Sequence, residues 1–370
     1  MWYHYIREQV HVFLFRIFVP STVIIIRFFG KVKSKREMDV MKKAVKKVVK
    51  KVVKILGIMV LALVIVLATF FAYAKYKHWK TLNTPILPDD YYKAYAETFP
   101  AGGKLEEYYS DHGSYEVEHL EYQSDNKSIG TIRVYYPAEL RTSGKQYPVV
   151  MVVNGSNTPA KIYLPFFQRL ASWGFIVVGT DDPQSGTGET TSIALDFMLN
   201  ESEIASQIDR DNIGIIGYSQ GGAGALGAAT KYENSHLYKA IFTGSAAYPL
   251  LALNMGWEYD SSQISIPYFM TAATGMSDDS GVADINAEFG GVAPLASLVE
   301  IYDSITDDVL KIRARVTGAE HEQMQARTDG YMTAWMLYHL QGDQEAGTVF
   351  LGEDAEILSN TNWQDIEKNN

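Results

Sequence analysis

The chain has 370 residues, 47% of them hydrophobic, with no Cys and a formal net charge of −10. That apolar content excludes a disordered chain, and the missing thiols exclude a disulfide framework, a thiolate nucleophile and a Cys-ligated metal centre. The charge is divided: residues 1–80 hold 17 basic against 3 acidic side chains, the other 290 hold 16 against 40, and so acidic a body offers nucleic acid no basic patch.

Taken in chain order, the first informative element is residues 55–74, ILGIMVLALVIVLATFFAYA, 20 positions without a charge or a proline. A 20-residue helix is about 30 Å long, the thickness of a bilayer's hydrocarbon core, so a transmembrane helix is expected. Seven lysines (Lys42, Lys43, Lys46, Lys47, Lys50, Lys51, Lys54) precede the run and three (Lys75, Lys77, Lys80) follow it. This bias predicts a basic cytoplasmic segment over 1–54 and a body outside the cell. The alternation of Lys pairs with Val45, Val48, Val49, Val52 and Val53 suits contact with an anionic leaflet. One alternative is a secretory signal, since Ala72-Tyr73-Ala74 fits a small-x-small cleavage site. Residues 10–29, broken by Arg16, Pro20 and Arg27, read as a second, poorer span or an interfacial segment, and Met38 or Met41 is an alternative start.

Residues 75–114 read as a linker and 115–370 as a catalytic domain. Strands 115–122 and 130–136 alternate apolar and polar residues, as half-exposed antiparallel strands do. The runs 148–153, 174–180, 213–218, 240–244 and 266–272 are continuously apolar, the mark of buried parallel strands, and 311–318 reads as a last, edge-ward strand. Helical patterns at 160–172, 191–207, 220–232, 294–304 and 329–341 alternate with them. The expectation is a mostly parallel eight-stranded α/β sheet with helices on both faces.

Between strand 213–218 and helix 220–232 lies Gly217-Tyr218-Ser219-Gln220-Gly221, a GxSxG elbow in the strand–turn–helix context its chemistry requires. Ser219 is the expected nucleophile, presented at a tight turn with the helix's positive end behind it. Its base should come from the loop after the last strand, where His321 stands in Gly318-Ala-Glu-His-Glu-Gln-Met. The orienting acid should follow strand 266–272, where Asp278, Asp279 and Asp284 compete, in that order of preference. Two backbone N–H groups, of Gln220 and of Ser156 in the Asn154–Thr158 loop, are expected to form an oxyanion hole. No His pair, HExxH or EF-hand spacing occurs, so neither a metal nor an organic cofactor is expected.

Together the Gly217–Gly222 elbow, the Asn154-Gly155-Ser156 loop and Val292-Ala293-Pro294 through Tyr302 resemble the α/β-hydrolase superfamily, in its bacterial cutinase-like, polyester-hydrolase-like and chlorophyllase-like esterase branch. The resemblance covers about residues 115–345 and implies the α/β-hydrolase fold. Relatives in that branch usually carry their acid just before the Ala-Pro; here Gly290-Gly291 stands there. Polyester hydrolases also resemble one another in an aromatic clamp. Ser156 and Gln220 are not aromatic, which leaves Tyr248 as the substrate-binding aromatic and leaves polyester cleavage unimplied. The expected function is a membrane-anchored extracellular serine hydrolase that cleaves small-molecule or lipid-like carboxylic esters through an acyl-enzyme. The alternatives are a non-catalytic binding or adhesion module on the same fold, and an acyltransferase or amidase using the same triad.

Overall fold

The computed structural model describes residues 34–370; the segment 10–29 and the rest of 1–33 lie outside the described residues. The chain forms two units divided after Lys77. In the first, helix α1 (Lys35–Thr81) runs 47 residues with none of them buried, and its most apolar 18-residue window has a mean hydropathy of 3.0. By length and composition it can cross a membrane. Thr69, the one aliphatic hydroxyl in the apolar run, donates to Ile65 O at 2.7 Å within the helix.

In the second unit, all eight expected strands form: β1 (Val117–Gln123), β2 (Thr131–Pro137), β3 (Tyr147–Val153), β4 (Ile176–Thr180), β5 (Ile208–Tyr218), β6 (Tyr238–Gly244), β7 (Tyr268–Ala273) and β8 (Lys311–Val316). The sheet nevertheless has nine strands among the described residues, not eight. β9 (Trp363–Lys368) pairs antiparallel with β8 and takes the edge assigned to 311–318, giving the order β1-β2-β4-β3-β5-β6-β7-β8-β9. β3 through β8 pair in parallel; β1, β2 and β9 are antiparallel at the flanks.

The strand period of two sorts the core. Val150 and Val152 face one cluster, with Phe166 and Leu170 of α4 (Leu164–Ala171) and Trp335 and Met336 of α9 (Asp329–Gln341). Val149, Met151 and Val153 face the other. There they meet Leu195 and Met198 of α5 (Glu189–Asn200), the small-residue helix α6 (Gln220–Lys231), Ala252 of α7 (Pro249–Met255) and Ile301 of α8 (Leu295–Ser304). Helices therefore cover both faces.

The stretch 75–114 holds more than the linker expected there. α2 (Tyr91–Thr98) and α3 (Lys104–Ser110) form within it, and Tyr91 and Tyr109 are fully buried in the first cluster. Buried Arg169 binds them to the body. Its Nε donates to Tyr91 Oη (3.0 Å), a terminal nitrogen donates to Tyr109 O (3.0 Å), and another pairs with Asp329 at 3.3 Å. Tyr91 Oη in turn donates to Asp329 at 2.6 Å.

Candidate active site

In a parallel sheet the loops at the carboxyl ends of the strands share one edge, and there Ser219, His321, Asp278, Gln220 and Ser156 come together, while Asp279, Asp284 and Tyr248 do not join them. Ser219 follows β5 with φ 59° and ψ −125°, a left-handed conformation that a non-glycine residue adopts only when its surroundings impose it. The surroundings do so. Ser219 N–H donates to Gly244 O (2.9 Å), and Ser219 O accepts from Gly222 N–H (2.9 Å). The turn closes only around glycines: a Cβ on Gly217 would stand 2.0 Å from Gly221 O, and one on Gly221 2.1 Å from Val153 O.

His321 opens a single 3₁₀ turn after β8, which a reciprocal Glu320–Gln323 capping box holds in place. Its Nδ1 lies 2.5 Å from Asp278 Oδ1. Against a carboxylate that nitrogen carries the proton, so Nε2 is left as the acceptor. Burial by itself would push the imidazole pKa down; the hydrogen bond and charge of Asp278, helped by Glu322, outweigh it and hold the pKa above the ordinary value.

Asp278 is fully buried, and its second oxygen accepts from Ala273 N–H (2.7 Å) and from the Ser245 hydroxyl. The other two loop carboxylates point elsewhere. Asp279 pairs with Arg315 at 2.6 Å and accepts from Leu295 N–H at 3.3 Å, while Asp284 is exposed and accepts from Asn286 N–H at 2.9 Å. The loop from 275 to 292 folds back, so that Ala293 N–H donates to Asp278 O at 3.1 Å and Val292 N–H to Ser277 O at 2.9 Å. The acid is thereby brought beside the Ala-Pro in space though it precedes it by fifteen residues in sequence.

Asn154 fixes the neighbouring loop. Buried, it donates to Thr180 O and Asp182 O (both 2.7 Å) and accepts from Tyr163 Oη. Ser156, two residues on, is exposed in the same cavity as Ser219 and His321. Gln220 opens α6, so its N–H has no carbonyl one turn earlier in that helix to bond. Its side chain is buried and donates to Gln184 Oε1 at 3.2 Å.

The cavity holds about 370 Å³, and its lining includes the apolar or aromatic Ile86, Val153, Tyr163 and Tyr218 and the polar Glu322 and Gln325. Tyr248 is not part of it. That ring is 4% exposed, with its hydroxyl on Ile285 O at 3.3 Å, because α7 turns it under the 275–292 loop. The aromatic walls are instead Tyr218, adjacent to the nucleophile and therefore findable from the motif, and Tyr163. Ser245, which follows β6 on the same sheet edge with φ 50°, also carries no signal in the sequence, since one serine after a strand is commonplace.

A serine on a strained turn and, lining the same cavity, an imidazole whose far nitrogen rests on a buried carboxylate are the parts that attack on an acyl group requires. Residues 108–369 match the model of a family described as PETase, PET hydrolase-like. Among curated proteins the chain is similar to Cutinase 1 of Thermobifida cellulosilytica, 26% identical over 223 residues, which is 57% of this chain and 73% of that protein. It is also similar to a bis(hydroxyethyl) terephthalate hydrolase of Streptomyces coelicolor (30% over 149 residues; 38% and 43%) and to Lipase 1 of a Moraxella species (34% over 111 residues; 28% and 34%). The matched stretch thus spans from a third to three quarters of these relatives' lengths.

Proposed function

The chain belongs to the PET hydrolase-like family of cutinase-like α/β-hydrolases, and from that premise we propose that it is a serine hydrolase of carboxylic esters, held at the membrane by α1 with its catalytic body outside the cell. Ser219 Oγ attacks the acyl carbon while His321 Nε2 takes its proton. Asp278 keeps the other imidazole nitrogen protonated and steadies the cation that forms. The N–H groups of Gln220 and Ser156 receive the oxyanion, the alcohol leaves with the proton from His321, and water releases the acyl group by the same steps in reverse order.

The observation that carries this reading is the 2.5 Å contact between a fully buried Asp278 and His321, whose ring lines the same cavity as Ser219. A binding module has no need to bury a carboxylate against an imidazole. The amidase and acyltransferase readings keep the same residues and differ only in the leaving group or acceptor. A fluorophosphonate probe tests the chemistry: it should label the wild-type chain at Ser219, and absence of labelling overturns the reading. Placement rests on the lysine asymmetry around the apolar run. Protease added to intact cells should digest the body and spare an amino-terminal tag; a protected body overturns the outward orientation.

A further inference from the structure

Between α1 and α2 the chain reads Leu82-Asn-Thr-Pro85-Ile86-Leu87-Pro88. Two prolines bracket Ile86 and Leu87 and fix the backbone on either side. The segment is fastened to the body at successive points. Lys161 Nζ donates to Asn83 Oδ1 (2.9 Å), Ile86 N–H donates to Ile162 O (2.7 Å), and Leu87 packs against the first core cluster. Tyr91 then enters the core. So held, the Ile86 side chain stands 51% exposed and lines the cavity of Ser219 and His321. A half-exposed isoleucine on this fastened strap adds to the apolar lining that Val153, Tyr163 and Tyr218 give the cavity. The family match begins at residue 108, so this piece of wall comes from the chain's own amino-terminal segment and not from the matched domain.

We infer that Ile86 determines specificity: the hydrocarbon chain of the ester lies against it. The inference rests on the hydrolase reading above. Covering the exposed half of Ile86 removes apolar surface from water, and each further methylene laid along the wall adds to that gain. The enzyme should therefore favour longer chains, and should do so through Ile86.

The test uses the full-length chain in detergent micelles and two ester series, one lengthening the acyl chain from acetyl to octanoyl, the other lengthening the alcohol from ethyl to octyl. In one of them the octyl-to-short ratio of kcat/KM should fall about three- to tenfold in Ile86→Ala, as expected when a half-exposed side chain loses about one to two methylenes' worth of apolar contact. Ile86→Leu should restore it. Leu253→Ala, an equally exposed residue on α7 away from the cavity, should leave both ratios at the wild-type value and so control for partition into the micelle. Ratios unchanged in both series, with wild-type turnover intact and Ser219 labelled, overturn the inference alone. No turnover and no labelling in the wild type overturns it together with the hydrolase reading.

Discussion

At Ser219 the fold maintains a backbone conformation that costs on the order of 1–3 kcal/mol in a non-glycine residue. Ser219→Ala keeps that strain and removes the hydroxyl. Ester turnover should drop by more than a hundredfold with the thermal midpoint nearly unmoved; residual activity above a hundredth of wild type would count against Ser219. Ser219→Gly should be equally inactive yet melt a few degrees higher by scanning calorimetry, because glycine accepts the turn without strain.

The three loop carboxylates separate by partner. Asp278→Asn stabilises the wrong imidazole tautomer and should cost roughly 10⁴ in kcat. Asp279→Asn cuts the Arg315 pair, so its deficit should appear in the midpoint with less than about tenfold lost in turnover. If the steady-state loss follows Asp279 instead, the acid is misassigned. His321 must be neutral to accept a proton, and its pKa is held above the ordinary imidazole value near 6.5. The acid limb of kcat/KM should accordingly have its midpoint above that value. Glu322→Gln, which removes one of the charges raising it, should move the limb toward lower pH. A limb that stays put in the Glu322 variant, or one below pH 6, would contradict the assignment.

Among the elements, the buried strands were readable because a parallel strand covered on both faces must be apolar throughout, as in 148–153 and 213–218. The edge strand β9 was not. In Trp363-Gln-Asp-Ile-Glu-Lys only Trp363 and Ile366 are apolar, and at an edge this suffices because one face and one hydrogen-bonding side meet water. α2 and α3 were hidden by the Pro and Gly residues around them and by their polar outer faces. What orders them is a distant arginine, a partner no local pattern can announce. The site divides in the same way: Ser219 and His321 follow from motif and position, whereas the choice of Asp278 depends on how the 275–292 loop folds back.

The Arg169–Asp329 pair that fastens these helices has its own signature. Burial pushes the Asp329 carboxyl up to about 6, against the partial relief given by Arg169 and Tyr91. Between about pH 4 and pH 6 the folded chain keeps a proton that the unfolded chain releases, so stability declines as pH rises through that window and is level above it. At 1.36 kcal/mol per pH unit the decline is about 2–3 kcal/mol. Urea unfolding at pH 4, 5 and 6 should show it, and Asp329→Asn should flatten it; an unchanged slope in the variant would place its origin elsewhere.

For the whole molecule, one feature sets the order in which the fold can be finished. Glu106, at the start of α3, accepts from Trp363 Nε1 (2.7 Å) and Asn360 Nδ2 (2.8 Å), and Glu356 accepts from the N–H groups of Leu105 and Glu106. The approach to the sheet and the departure from it are laced together, some 250 residues apart along the chain. Removing residues 356–370 should strip both β9 and this lacing, lowering the midpoint by many degrees, as a calorimetric scan of the truncated chain would register. The lacing also carries a consequence for biosynthesis. A polypeptide made from its amino terminus has Glu106 long before it has Trp363, so this lacing can close only late in synthesis. On the outward orientation proposed above, the chain would enter the membrane with this lacing unmade and complete it on the far side.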